Sequence, residues 1–314
     1  MTDAIHVFDR KLLTQRKERA HRMGGDSDFL FREVADRLAD RLLDVTRAFP
    51  LALDLGGHAG VVAQELQGRG GVETLIQANL SHGGARLAGA HGPSLVCDEE
   101  WLPLKEGIFD LVISNLSLHW TNDLPGALIQ VCRALRPDGL FQGAILGGET
   151  LRELRDCLMQ AELDISGGVS PRVSPFADVR DLGGLMQRAG FSLPVVDSEA
   201  ITVTYENMFR LIADLRGMGE TNAVLERSKA IPPRQLFMRA AELYQQNYSN
   251  EDGRIEATFH IFYLHGWAPD ASQPKPLRPG SATGSLAGAL GGQEFAAGEK
   301  VNIPTPKDGD EGDN

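Results

Sequence analysis

Cysteine is scarce in this chain: Cys97, Cys132 and Cys157 are the three in 314 residues, far apart and odd in number. None forms a CxxC pair or a Cys/His cluster, so neither a disulfide framework nor a zinc site is expected. Free, mostly buried thiols in a reducing compartment fit instead. The eight histidines show no spacing of paired ligands, so no iron triad or other metal is expected. No apolar run approaches the roughly 18 residues of a membrane-spanning helix. The N-terminus lacks the apolar core of a secretory signal, and Asp3 and Asp9 argue against a transit peptide, which makes cytoplasmic the expected location. An excess of positive charge is absent too. The net charge of −12 argues against a non-specific nucleic-acid binder, because phosphate contacts need Lys and Arg in excess.

What is present is an ordinary globular composition, 42% hydrophobic, enough for a sizeable core. Charge is unevenly placed. Arg10, Lys11, Arg16, Lys17, Arg19 and Arg22 crowd one stretch, read as the solvated face of a helix. Asp308, Asp310, Glu311 and Asp313 close what reads as a solubilising tail.

Apolar spacing divides the chain. Residues 1–47 read as a helical region, with the clearest stripe at Phe29, Phe31, Val34, Ala35, Leu38, Leu42 and Leu43. From 48 to 268 short apolar runs alternate with helical patterns. Strands are expected at 51–55, 72–80, 94–96, 108–114, 140–146, 195–204 and 257–264. Pro137-Asp138-Gly139 reads as a turn before the fifth, and Gly190 as the cap of a helix over 179–189. This alternation predicts an α/β fold with a mostly parallel sheet and helices on both faces. Residues 147–181 and 205–250 read as helical inserts, and 269–314, rich in Pro, Gly, Ser and Ala, as a disordered tail.

The run Leu53-Asp54-Leu55-Gly56-Gly57-His58-Ala59-Gly60 joins a strand to a helix, where glycines let a ligand approach backbone N–H groups. It is followed in order by Val96-Cys97-Asp98-Glu99-Glu100-Trp101-Leu102-Pro103-Leu104, Phe109-Asp110-Leu111-Val112-Ile113-Ser114-Asn115 and Leu135-Arg136-Pro137-Asp138-Gly139-Leu140. Together these segments resemble the class I S-adenosylmethionine (SAM) dependent methyltransferases. The resemblance implies a Rossmann-like, seven-stranded, mostly parallel sheet and SAM as cofactor. It places Asp54, Gly56, Gly57 and Gly60 in the SAM loop, Asn79 at the ribose, Asp98 at the adenine amino group with Glu99 beside it, and Ser114 in the wall facing the methyl group. Two positions depart from that pattern: His58 replaces the middle glycine, and Asn79 replaces an acid, so it can accept a ribose hydroxyl only without charge assistance.

A closer resemblance rests on Val7-Phe8-Asp9-Arg10, Asn115-Leu116-Ser117-Leu118-His119-Trp120, Gly147 to Arg155, Gly167 to Phe176, Asp214 to Asn222 and Asn250-Glu251-Asp252-Gly253. These segments are similar to the mitochondrial complex I assembly factor 5 family and its bacterial relatives. A more distant likeness is to the malonyl-carrier-protein methyltransferase of biotin synthesis. The family implies a protein substrate, a complex I core subunit, and a location peripheral to the inner membrane through that partner. It leaves four activities open: methylation of a protein side chain, arginine hydroxylation, SAM binding without catalysis, and methylation of a small molecule or carrier protein. His119 is a candidate base. Trp120 is a candidate platform for a guanidinium. Glu149 and Glu153, four apart on an expected helix, are candidates to clamp an arginine from one face. Asp214, Glu220 and Asn222 of the second insert are placed to help close the site.

Overall fold

The structure, a computed structural model, describes residues 6–176 and 179–274, without the side chains of 179–181. The expected disordered tail therefore lies largely outside the described residues. The chain divides into two units, Met1–Ala271 and Ser272–Asn314, and the first carries everything below.

Seven strands form one sheet: β1 (Phe49–Leu55), β2 (Val72–Asn79), β3 (Ser94–Val96), β4 (Phe109–Asn115), β5 (Leu135–Leu146), β6 (Ser192–Tyr205) and β7 (Ile255–Trp267). Their order is β3-β2-β1-β4-β5-β7-β6. The first five pair in parallel, and β7 runs antiparallel to both β5 and β6. The central strands read as apolar runs because both their faces are covered. Ala52, Leu111, Leu140 and Ile261 point into one core, while their neighbours Leu53, Val112, Phe141 and Phe262 point into the other.

Nine α-helices accompany the sheet among the described residues. These are α1 (Arg10–Met23), α2 (Phe29–Leu43), α3 (Val61–Leu66), α4 (His82–Ala88), α5 (Leu124–Ala134), α6 (Arg152–Ser166), α7 (Val179–Arg188), α8 (Met208–Gly217) and α9 (Arg234–Asn247). Local chemistry sets their starts. Asp9, Ser81, Asp123 and Asn207 each accept a hydrogen bond from a first-turn N–H of α1, α4, α5 and α8. α2 presents Leu30, Val34, Leu38 and Leu42 to the same core as α6, α8 and α9. α2 is thus part of the sheet's covering layer, while Leu13 of α1 packs in a separate cluster with Phe8 and Trp120.

One expected turn is built differently. Pro137-Asp138-Gly139 lies inside β5, where pairing with β4 jumps from Phe109↔Leu135 to Leu111↔Leu140. Asp138 adopts a left-handed φ of 61° there. The segment loops out as a bulge because β5 pairs on both sides of it.

Strand order reverses between β1 and β4, with β2 and β3 to one side and β5 to the other. In open α/β sheets such a switch point opens a crevice at the carboxyl ends of the strands. Here those ends carry Asp54, Asn79, Cys97-Asp98-Glu99 and Asn115.

Candidate cofactor and active site

Asp54, next to last in β1, is fully buried, and neither carboxylate oxygen has a hydrogen-bond partner. Burial alone pushes its carboxyl up to about 7. Asn79 ends β2, also buried, and both atoms of its amide lack partners. Gly57 lies between them. A Cβ at Gly57 would sit 2.6 Å from Asp54 Oδ2 and 3.5 Å from Asn79 Nδ2, so a side chain would fill this cradle. The N–H groups of Gly56 and Gly57 both donate to the Ala78 carbonyl at 2.9 Å, which fixes the loop over β2. Gly56 needs to be glycine on two counts: its φ is 81°, and a Cβ would fall 2.0 Å from Ser117 Oγ.

Gly60 and Ser114 have structural duties. A Cβ on Gly60 would lie 2.8 Å from the His91 ring and 3.3 Å from Ala88 Cα, so glycine there lets α4 pack close to the loop. Ser114 Oγ donates to the Leu55 carbonyl at 2.9 Å and ties β4 to β1. His58, at the departing loop position, is buried and stacks on Phe31 of α2 at 3.5 Å. Burial holds its imidazole well below the usual range, so the neutral ring donates from Nε2 to the Leu116 carbonyl at 3.2 Å. It serves as a wall plate joining the loop to α2.

At the other end of the crevice, Asp98 and Glu99 are already engaged. Arg10 Nη2 donates to both carboxylates, and Ser117 Oγ donates to Glu99 Oε1 at 2.6 Å. Asn122 Oδ1 accepts the N–H groups of Val7 and Phe8 at 2.8 Å, and its own N–H donates to Glu100. Residues 7–10 are thereby stitched to 98–100 and 120–122.

His119 and Trp120 form a short 3₁₀ turn after β4, and both point to Glu220. Trp120 Nε1 donates to Glu220 Oε2 at 2.7 Å, His119 Nε2 lies 3.1 Å from the same oxygen, and Lys17 Nζ lies 3.4 Å from Oε1. Burial acts to raise the Glu220 carboxyl, but Lys17 and the His119 hydrogen bond outweigh it and hold the group at about 2. With Nε2–H on Glu220, His119 keeps Nδ1 as an acceptor, buried and without a partner. Trp120 is 1% exposed and meets Phe8 edge-on at 5.2 Å, so it is a core aromatic, not an open platform for a guanidinium.

The expected carboxylate clamp is not formed. α6 begins at Arg152, so Glu149 precedes it and is exposed, near Arg152 at 3.7 Å. Glu153 is buried and accepts from the Thr258 hydroxyl and N–H on β7, at 2.5 and 3.2 Å. The two face different surroundings, because the chain enters α6 through a left-handed residue, Leu151 (φ 54°), not as a continuous helix.

The basic stretch of α1 also corrects its reading as a solvated face. Lys17 is buried and Arg10 nearly so, each against carboxylates. Lys17 shares a stripe with the buried Leu13 and Ala20, and that spacing was the available signal. Of the second-insert candidates, Glu220 is at the centre of the site. Asn222 instead braces the loop, donating to the Pro171 carbonyl at 2.8 Å.

A methyltransferase domain family matches residues 53–142. The arginine-hydroxylase NDUFAF5 of Homo sapiens is 46% identical over 292 residues, covering 91% of this chain and 84% of that protein. The Danio rerio protein of the same name is 44% identical, covering 90% and 89%. A malonyl-[acyl-carrier protein] O-methyltransferase of Laribacter hongkongensis is 34% identical, covering 89% and 96%. Among solved structures, the YcgJ protein of Bacillus subtilis superposes with a TM-score of 0.53 at 14% identity, covering 74% of this chain and 99% of that one, which is a likeness of fold alone. With such relatives spanning nine-tenths of its length, the chain belongs to the NDUFAF5 family, built on the class I methyltransferase fold.

Proposed function

We propose that this chain binds SAM in the crevice over β1, β2 and β3 and hydroxylates an arginine side chain of a protein subunit during assembly of respiratory complex I. The observation that carries the activity is the identity of 44–46%, over nine-tenths of the chain, to relatives named arginine-hydroxylases. The crevice supports the cofactor. Asp54 would meet the ammonium of the amino acid moiety, Asn79 the ribose hydroxyls, and Asp98 the adenine amino group. A buried carboxylate and a buried amide without partners are costly until a ligand supplies them. SAM, when bound, would supply an activated methyl group and a sulfonium charge, which serve methyl transfer. Hydroxylation would further need dioxygen and a two-electron reductant as co-substrates, one oxygen atom entering the arginine and the other leaving as water. The chain's own contribution is His119, whose Nδ1 can accept a proton while Glu220 holds the ring.

Among the described residues no helix is long and apolar enough to cross a membrane. A place at the inner membrane would therefore come through the partner subunit. A second reading, methyl transfer, draws on the relative named malonyl-[acyl-carrier protein] O-methyltransferase. Intact-mass analysis of complex I core subunits, from cells with and without this protein, separates them. Hydroxylation predicts the loss of one oxygen from an arginine-bearing peptide in its absence, and methylation the loss of one CH₂ unit. No mass change at any arginine would defeat the proposal.

A further inference from the structure

Beside Glu220 the two inserts and α1 line a partly open cavity of about 250 Å³. Leu154, Leu158, Ile212 and Leu215 give it apolar walls. Three guanidinium groups also line it, those of Arg16, Arg172 and Arg227. Two of them have counter-ions that lie outside the cavity: Arg172 pairs with Glu162 at 2.5 Å and Arg227 with Asp9 at 3.4 Å. Arg16 is different. Its Nη1 donates to the backbone carbonyls of Thr221 and Asn222, and among the described residues no carboxylate pairs with it. Burial, Arg227 and Arg19 pull its guanidinium down to about 10, and the attraction of Asp9, which pairs with Arg227, offsets only part of this. Two further donors on the same lining, Arg172 Nε and Thr221 Oγ1, are buried without partners. Glu220 also borders the cavity, but Lys17 balances its charge and His119 and Trp120 occupy its oxygen.

We infer that this cavity is a binding site for a small carboxylate carried on an apolar body. The carboxylate would sit at Arg16, on a lining that also carries the unpartnered donors, and the apolar part would lie against the leucine and isoleucine walls. One uncompensated cation matches one negative charge. A guanidinium fork also suits the two oxygens of a carboxylate, which it can bind through paired hydrogen bonds. A phosphate monoester, with a charge nearer −2, would bring excess charge into apolar surroundings. A guanidinium or ammonium guest would be repelled by the cation that is left without a carboxylate, Arg16, so the arginine substrate proposed above is not the guest inferred here. The inference stands independently of that chemistry.

Calorimetric titration with octanoate, 1-octanol and octylamine tests it on the intact protein. Octanoate should bind about tenfold or more tighter than octanol, the margin of one charge-assisted contact, and octylamine should not bind. Arg16→Gln should reduce octanoate to the level of octanol and leave octanol unchanged. Ile212→Trp, which fills the cavity, should abolish both. Equal binding of acid and alcohol by the unaltered protein would overturn the inference, as would undiminished octanoate binding by a folded Arg16→Gln protein. Should Arg16→Gln fail to fold, the acid-to-alcohol comparison on the unaltered protein still decides. None of these readouts depends on the arginine mass assay, so the two ideas fail separately.

Discussion

Helix α1 serves the buried acids of the site unequally. At one end of the crevice Arg10 reaches Asp98 and Glu99, and past the end of β4 Lys17 reaches Glu220. At the other end Asp54, buried more completely than Asp98, has no cation and no hydrogen bond. The served acids act as structure: Asp98 and Glu99 anchor the N-terminal helix, and Glu220 orients His119 and Trp120. The unserved acid is driven toward its neutral form until a cationic group arrives. A buried carboxylate left unpaired at a switch point has its full bonding capacity to offer a ligand, whereas one already paired uses part of it as a brace.

The strongest way to break this comparison is to remove a brace. Lys17→Met leaves Glu220 buried without its cation and should cost about 3–5 kcal/mol of stability by denaturant unfolding. Adding Glu220→Gln to the same chain should recover part of that loss, since the stranded charge goes with it. If Lys17→Met unfolds like the unaltered protein, the ion pair is not a brace.

Asp54 supplies the next contrast. Asp54→Asn should weaken binding of S-adenosylhomocysteine by about 1.5–3 kcal/mol, the range for hydrogen bonds to charged groups. Asp98→Asn should cost less, because its carboxylate is a third exposed and already shared with Arg10. Equal losses would erase the distinction between the two ends. The pH dependence has a definite sign. Asp54 is raised from 3.8 to about 7 in the folded chain, so its contribution is fully present below the lower value and is lost as pH rises toward the upper. Without ligand, the melting temperature of the unaltered protein should therefore fall relative to Asp54→Asn between about pH 4 and pH 7. Parallel curves would show that Asp54 does not carry the shift.

The smallest effect separates Glu149 from Glu153. Glu153→Gln should cost about 1 kcal/mol through its hydrogen bonds to Thr258. Glu149→Gln, at an exposed position, should stay within about 0.5 kcal/mol. Thermal unfolding of the two single variants measures the difference. Equal losses would return the pair to a common role.

Much of the scaffold was legible because its signals are local. The apolar runs of β1, β2 and β4 follow from burial on both faces; the helix starts at Asp9, Asp123 and Asn207 rest on local capping bonds that apolar spacing does not single out. The β5 bulge was read as a turn, because a Pro-Asp-Gly stretch looks the same whether the strand ends there or loops out and resumes. Among site residues, Asp54, Gly56, Gly57 and Asn79 do converge on one cradle. Gly60 and Ser114, drawn from the same motifs, do other work, since a motif fixes a backbone path and not what each side chain meets.

The sequence by itself determined the alternation of strands and helices, the glycine turn at the end of β1 and the family to which the chain belongs. Each is written in neighbouring residues or in short runs of fixed order. Only the tertiary structure decided which charges are paired. Arg10 lies 88 residues from Asp98 along the chain, and Lys17 lies 203 from Glu220. Arg16 finds backbone carbonyls where a carboxylate would have balanced it. A cation at the surface and a cation in the core are the same letter in sequence. What separates them is the desolvation that packing imposes and the partner that the fold brings within hydrogen-bond distance.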